Sequence, residues 1–227
     1  MRFVTRAVLA LAIVVLPASA FAGIGIHANY DLTTIEGVSE SFSFAGETEL
    51  VSLSRTESSN PMGVGVDLTF GMLPIVDLWI SLDASFATYD FVYDAPGTVA
   101  DASEEGIPYL RAGGDFTVTI SPIKFPPVVS VIKVFVGAGL TVGVQTPVVS
   151  REVIEENLTS YTELPDPLSY ATAEVAIGYH AVAGVKIKPP AFPLALQVFG
   201  KYYMFPGASE GTPDSWLTAG AGLIIGF

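Results

Sequence analysis

Apolar and polar residues alternate with period two along most of this chain. From Ile24 to Asp31, the residues Ile24, Ile26, Ala28 and Tyr30 alternate with Gly25, His27, Asn29 and Asp31. Between Met62 and Met72, Met62, Val64, Val66, Leu68 and Phe70 alternate with Gly63, Gly65, Asp67, Thr69 and Gly71. The stripe recurs over residues 75–87, 110–120, 132–142, 172–181, 194–203 and 216–227, eight runs in all. Period two puts each set on its own face of a β-strand. Each run has about ten residues, the length a tilted strand needs to cross a hydrocarbon layer. A half-buried strand of a soluble domain is nearer about five or six.

The connections between runs alternate in length. Short joints surround Leu73 and Pro74 and occupy residues 122–127 and 186–190, whereas residues 34–61, 88–106, 145–169 and 206–214 form long connections. Backbone polar groups cannot stay unpaired in hydrocarbon, so a sheet lying there has to close. The expected fold is all-β: an eight-stranded antiparallel transmembrane β-barrel with short turns at one end and long loops at the other. Residues 41–54 read as a small hairpin inside the first long loop; if its strands joined the wall, the count would be ten. The soluble alternative is a β-sandwich or lipocalin-like cup with its apolar face inside.

The amino terminus reads as an address. Arg2 and Arg6 precede the apolar stretch Val8 to Leu16, Pro17 ends it, and Ala18-Ser19-Ala20 and Ala20-Phe21-Ala22 offer small-x-small cleavage patterns. The stretch is too short to span a bilayer as a helix. The expected division is a signal peptide over residues 1–22, cut after 20 or 22, and one domain over 23–227. Only 15% of the 227 residues are charged, against roughly 25% in soluble globular proteins. The formal charge of -13 argues against a nucleic-acid partner. The absence of cysteine excludes disulfides, thiol nucleophiles and thiolate metal sites. Five acidic residues fall in each of the first three long connections and two in the last, 17 of the 23.

The chain ends Gly220-Ala221-Gly222-Leu223-Ile224-Ile225-Gly226-Phe227, with alternate apolar residues closing on Phe. In this ending and in its plan of runs and loops it resembles small bacterial outer-membrane β-barrel proteins, the broad class of OmpA-like, OmpX-like and OmpW-like barrels. The resemblance implies export, insertion from the periplasm by the barrel assembly machinery, and outer-membrane lipids as partners. It implies periplasmic termini and short turns, extracellular long loops, and no particular ligand. The expected function is a structural or interaction protein of the outer membrane, with a mostly filled interior and no enzymatic activity. A narrow channel or transporter for small hydrophobic solutes is one alternative, and an outer-membrane hydrolase is another.

Candidate chemistry lies on the inward phase. Asp67, Asp77, Asp83, Asp115 and Glu174 share that phase with Arg111, Lys133 and Lys201, and His27 and His180 lie in phase nearby. Paired carboxylates can serve glycoside hydrolysis, but buried charges also need partners merely to be tolerated. These eight charged residues are therefore expected to form a network inside the barrel. No HExxH spacing points to zinc, and no cofactor is expected. In the long connections Asp101, Glu104 and Glu105 form one acidic patch with Glu152, Glu155 and Glu156. Such loops can attract Ca²⁺ or a cationic partner, though no twelve-residue calcium-loop spacing is present.

Overall fold

A computed structural model describes residues 21–34, 36–43, 50–73, 75–94, 102–125, 131–145, 174–190, 192–208 and 213–226. In chain order the strands are β1 (Phe21–Asp31), β2 (Val38–Ser43), β3 (Leu50–Arg55), β4 (Met62–Leu73) and β5 (Val76–Asp94). They continue with β6 (Ala102–Phe125), β7 (Ile132–Gln145), β8 (Glu174–Ile187), β9 (Leu194–Met204) and β10 (Ser215–Ile225).

The expected eight-stranded barrel is not what the chain builds. All ten strands belong to one sheet, in the order β2-β3-β5-β4-β1-β10-β9-β8-β7-β6, and every pairing is antiparallel. A further pairing of β5 with β6 brings the sheet round on itself, but unevenly. β5 has 19 residues and β6 has 24, against 11 in β1, β9 and β10. Their upper halves rise past the other strands as an arm, where β5 takes β3 as neighbour on the edge it gives to β4 lower down. The hairpin expected near residues 41–54 is present as β2 and β3, but it joins the sheet through this arm.

The connection expected over residues 88–106 is largely strand, since β5 runs to Asp94 and β6 starts at Ala102. Glu104, expected in a loop, is paired with Phe91. The ladder shifts between Tyr89 and Phe91, opposite Gly106, which has φ 72° and donates its N–H to Asp90 Oδ1 at 2.9 Å. Glycine adopts that left-handed conformation without strain, and an extra residue there kinks the pair. At the lower end the joints are short: residues 74–75 between β4 and β5, and 188–193 between β8 and β9.

Burial follows the alternation, with a polarity opposite to that of a soluble sheet. Val64 (67% exposed), Ile177 (64%) and Leu140 (61%) lie outside, whereas Asp67 and Lys201 are 1% exposed within. A sandwich or cup with its apolar face inside is thereby excluded. The arm reverses this. There Ala87, Tyr89, Ile107 and Tyr109 are buried, and the outward positions Asp90 and Pro108 are exposed.

Bulky inner side chains fit because the facing positions are glycine. A Cβ on Gly220 would run into the Phe199 ring, and one on Gly65 into the His27 ring. Both are close approaches that other residues could not permit.

Candidate functional site

The polar interior is assembled from residues two apart on neighbouring strands. His27 (β1), Asp67 (β4) and Asp83 (β5) come together because His27 pairs with Gly65, and Gly65 pairs with Asp83. His27 Nδ1 lies 2.9 Å from Asp67 Oδ2, and Nε2 is hydrogen-bonded to Asp83 Oδ1. Ionised carboxylates only accept, so both ring nitrogens donate and the ring is an imidazolium. Trp79 Nε1 donates to the other Asp67 oxygen at 2.7 Å.

A second cation completes the centre. Lys201 Nζ donates to Asp115 Oδ2 at 2.7 Å and to Ser81 Oγ at 2.8 Å, and lies 3.7 Å from Asp83 Oδ2. Ser81 Oγ donates to Asp83 Oδ2 at 3.0 Å. The Tyr203 hydroxyl and Thr141 Oγ1 each donate to Asp115 at 2.8 Å. Thr141 Oγ1 then accepts from His180 Nδ1 at 2.7 Å, and Thr117 Oγ1 donates to His180 Nε2 at 2.8 Å. One hydrogen-bonded chain thus runs from Trp79 to Thr117.

The eight charged residues singled out from the sequence fall into separate places. Asp67, Asp83, Asp115 and Lys201 belong to this chain. Arg111 sits above it, paired with Asp31, whose other oxygen accepts from Thr218 Oγ1. The guanidinium carbon lies 3.8 Å from the Trp216 ring centroid, and Trp216 stacks on Phe205 at 4.8 Å. Asp77 and Lys133 lie at the lower end, around a cavity they share with Lys186 and Gln197. Between that end and the centre sits an apolar layer of Trp79, Phe135, Val182 and Phe199. Its rings meet edge to face, Trp79 at 5.1 Å from Phe199 and 6.0 Å from Phe135.

Glu174 pairs through its backbone with Gln145, and its side chain lies outside the described residues. Of the acidic patch, Asp101, Glu152, Glu155 and Glu156 lie outside the described residues. Glu104 and Glu105 are in β6, and their side chains are not described.

Asp31 was absent from the sequence-based network although it is fully buried. The signal was there, since it closes the first alternating run on the inward phase. Tyr203, Ser81 and Thr141 were missed as network members because neutral hydroxyls look alike on any inward face.

Chemically, the arrangement holds charges rather than reacting groups. Thr117 and His180 have the spacing of a nucleophile and its base, but Thr117 is 0% exposed and His180 2%, leaving no path for a substrate. Among the described residues no group of three or more His, Asp or Glu is placed to hold a metal ion. A cavity of about 30 Å³ beside Asp83, Arg111 and Trp216 has room for about two waters, and the lower one of about 10 Å³ for about one.

No protein-family model and no curated protein matches the chain. Among solved structures, it is similar to the N-terminal β-barrel domain of Pseudomonas aeruginosa OprF, with TM-score 0.40 and 11% identity over 92% of this chain and 100% of that one. It is also similar to Ail, the attachment invasion locus protein of Yersinia pestis, solved with the heparin analogue sucrose octasulfate. The TM-score is 0.40 and the identity 10%, over 92% of this chain and 99% of that one. Similarity of that degree assigns neither family nor function.

Proposed function

We propose that this chain is an outer-membrane protein whose strands cross the lipid, with a structural or interaction role and no catalytic step. The observation that carries the reading is the reversed polarity of the wall. Large apolar side chains on β1 and β4–β10 face outward, while His27, Asp67, Asp83, Asp115 and Lys201 are paired at the centre of the interior. In water that outer face would be a far larger apolar surface than soluble monomers expose; in hydrocarbon it is solvated.

The interior supports a filled structure rather than a channel. The apolar layer spans the path between the two cavities, and neither cavity admits more than about two waters. Outer-membrane lipids are the constant partner in this reading, and the barrel assembly machinery acts during insertion. Export by a cleaved leader belongs to it as well. Removing Ala22 and all before it would cost β1 one pair, Phe21 with Phe70, and leave its ladder to β10 from Ile24 onward intact.

The test is fractionation of a Gram-negative host expressing the full chain. The protein is expected with the outer membrane on a sucrose gradient, in a form whose gel mobility changes on boiling. Recovery as a soluble periplasmic protein would overturn the proposal.

A further inference from the structure

We propose that the lower end of the interior binds a small inorganic anion of halide size, held by Lys133, Lys186 and the Gln197 amide. Two cations line the cavity from adjacent strands, Lys133 pairing with Lys186, while Lys124 pairs with Lys133 but is not a lining residue. Like charges directly opposite repel across a sheet, and all three side chains are partly buried. Among the described residues neither Lys133 nor Lys186 joins an ion pair. This is the opposite of the centre of the interior, where Lys201 meets two carboxylates.

A second observation points into the same cavity. Gln197 is the cross-strand neighbour of Lys186, is 3% exposed, and its amide nitrogen has no hydrogen-bond partner. An amide N–H₂ only donates, so this buried group lacks an acceptor. Ser121 and Thr119 also line the cavity, but the Thr119 hydroxyl is already directed to the Asp77 carbonyl at 3.2 Å. Asp77 is the one carboxylate among the lining residues, and a single negative charge leaves the lysines in excess.

The donor set selects the ligand class. Ammonium and amide groups repel metal cations and attract anions. A water could accept from Gln197 but would leave the lysine charges uncompensated, whereas an anion satisfies both. The space is small, about 10 Å³, which favours a monatomic anion such as a halide over a tetrahedral phosphate, free or on a lipid headgroup.

Trp79 lines this cavity, and the chain's other tryptophan, Trp216, lines the upper one. The probe is bromide, a heavy-atom quencher, added to Trp216→Phe protein in detergent with gluconate holding ionic strength constant. Saturable quenching of Trp79 is expected, competed by chloride, with apparent affinity at least tenfold weaker in the Lys133→Gln/Lys186→Gln and Gln197→Leu variants. Folding of each variant is checked by circular dichroism. If Trp216→Phe does not fold, an anomalous bromide peak beside Gln197 in crystals of the unsubstituted protein replaces the fluorescence test. Quenching that is absent, linear in bromide or unchanged in the lysine variant would overturn the site, as would crystals without that peak. Competition by phosphate stronger than by chloride would overturn the halide assignment.

Discussion

The wall and the arm share continuous strands yet wear opposite polarity. On β5 the exposed apolar positions of the wall are Leu82 and Phe86; one residue on, Ala87 and Tyr89 are apolar and buried. On β6 the same reversal separates exposed Leu110 from buried Tyr109 and Ile107. The two crossings are in register, with Phe86 paired to Leu110 and Ala87 to Tyr109. A backbone that stays in one sheet while its apolar face moves from outside to inside has changed solvent. On the membrane reading proposed above, the line through Phe86 and Leu110 marks where a lipid-facing wall gives way to a water-facing arm.

The largest effect that would sharpen this contrast lies inside the wall. Lys201→Met leaves Asp115 buried with its cation gone, and breaking such a pair costs about 3–5 kcal/mol. The fall should be read from the urea midpoint of protein refolded in lipid vesicles; an unchanged midpoint would mean that water already compensates Asp115.

Arginine placed outside separates wall from arm. Leu140→Arg sits midway along β7, 61% exposed, and should cost about 2–4 kcal/mol in a bilayer. Val92→Arg is on the outward phase of the arm and should stay within about 0.5 kcal/mol, as surface substitutions do. Equal losses at the two positions in vesicle unfolding would erase the boundary.

Between these in size is Gly220→Leu, which pushes a branched side chain against Phe199 and should cost about 1–3 kcal/mol by overpacking. Smaller than that is Tyr109→Phe in the arm, which removes the 2.8 Å bond to Gln145 and should cost about 0.5–1.5 kcal/mol. Both are read from the same unfolding curves.

The eight long runs were legible because an apolar outer face writes an uninterrupted stripe, and the inward phase of His27, Asp67 and Lys201 followed from it. The arm was not legible for the reason just given. The stripe changes face between Phe86 and Ala87, so a search for one continuous face stops there and assigns the remainder to a loop. β2 and β3, of six residues each, are too short to show a phase. Strand count and closure depend on which edges meet, and the pairing of β3 with the upper half of β5 leaves no trace in local alternation. Nor does period two say which inward charges are partners. Asp77 and Lys133 share a phase with Lys201, yet the layer of Trp79, Phe135 and Phe199 keeps them apart from it.

The most direct test places nitroxide labels at single cysteines, Leu82→Cys and Leu140→Cys on the wall and Val92→Cys on the arm, in protein reconstituted into lipid vesicles. Collision with oxygen, which concentrates in hydrocarbon, is compared with collision by a water-soluble nickel chelate. Oxygen should dominate at 82 and 140, and the nickel chelate at 92. Nickel access at 140 equal to that at 92 would show the wall to be in water and contradict the account.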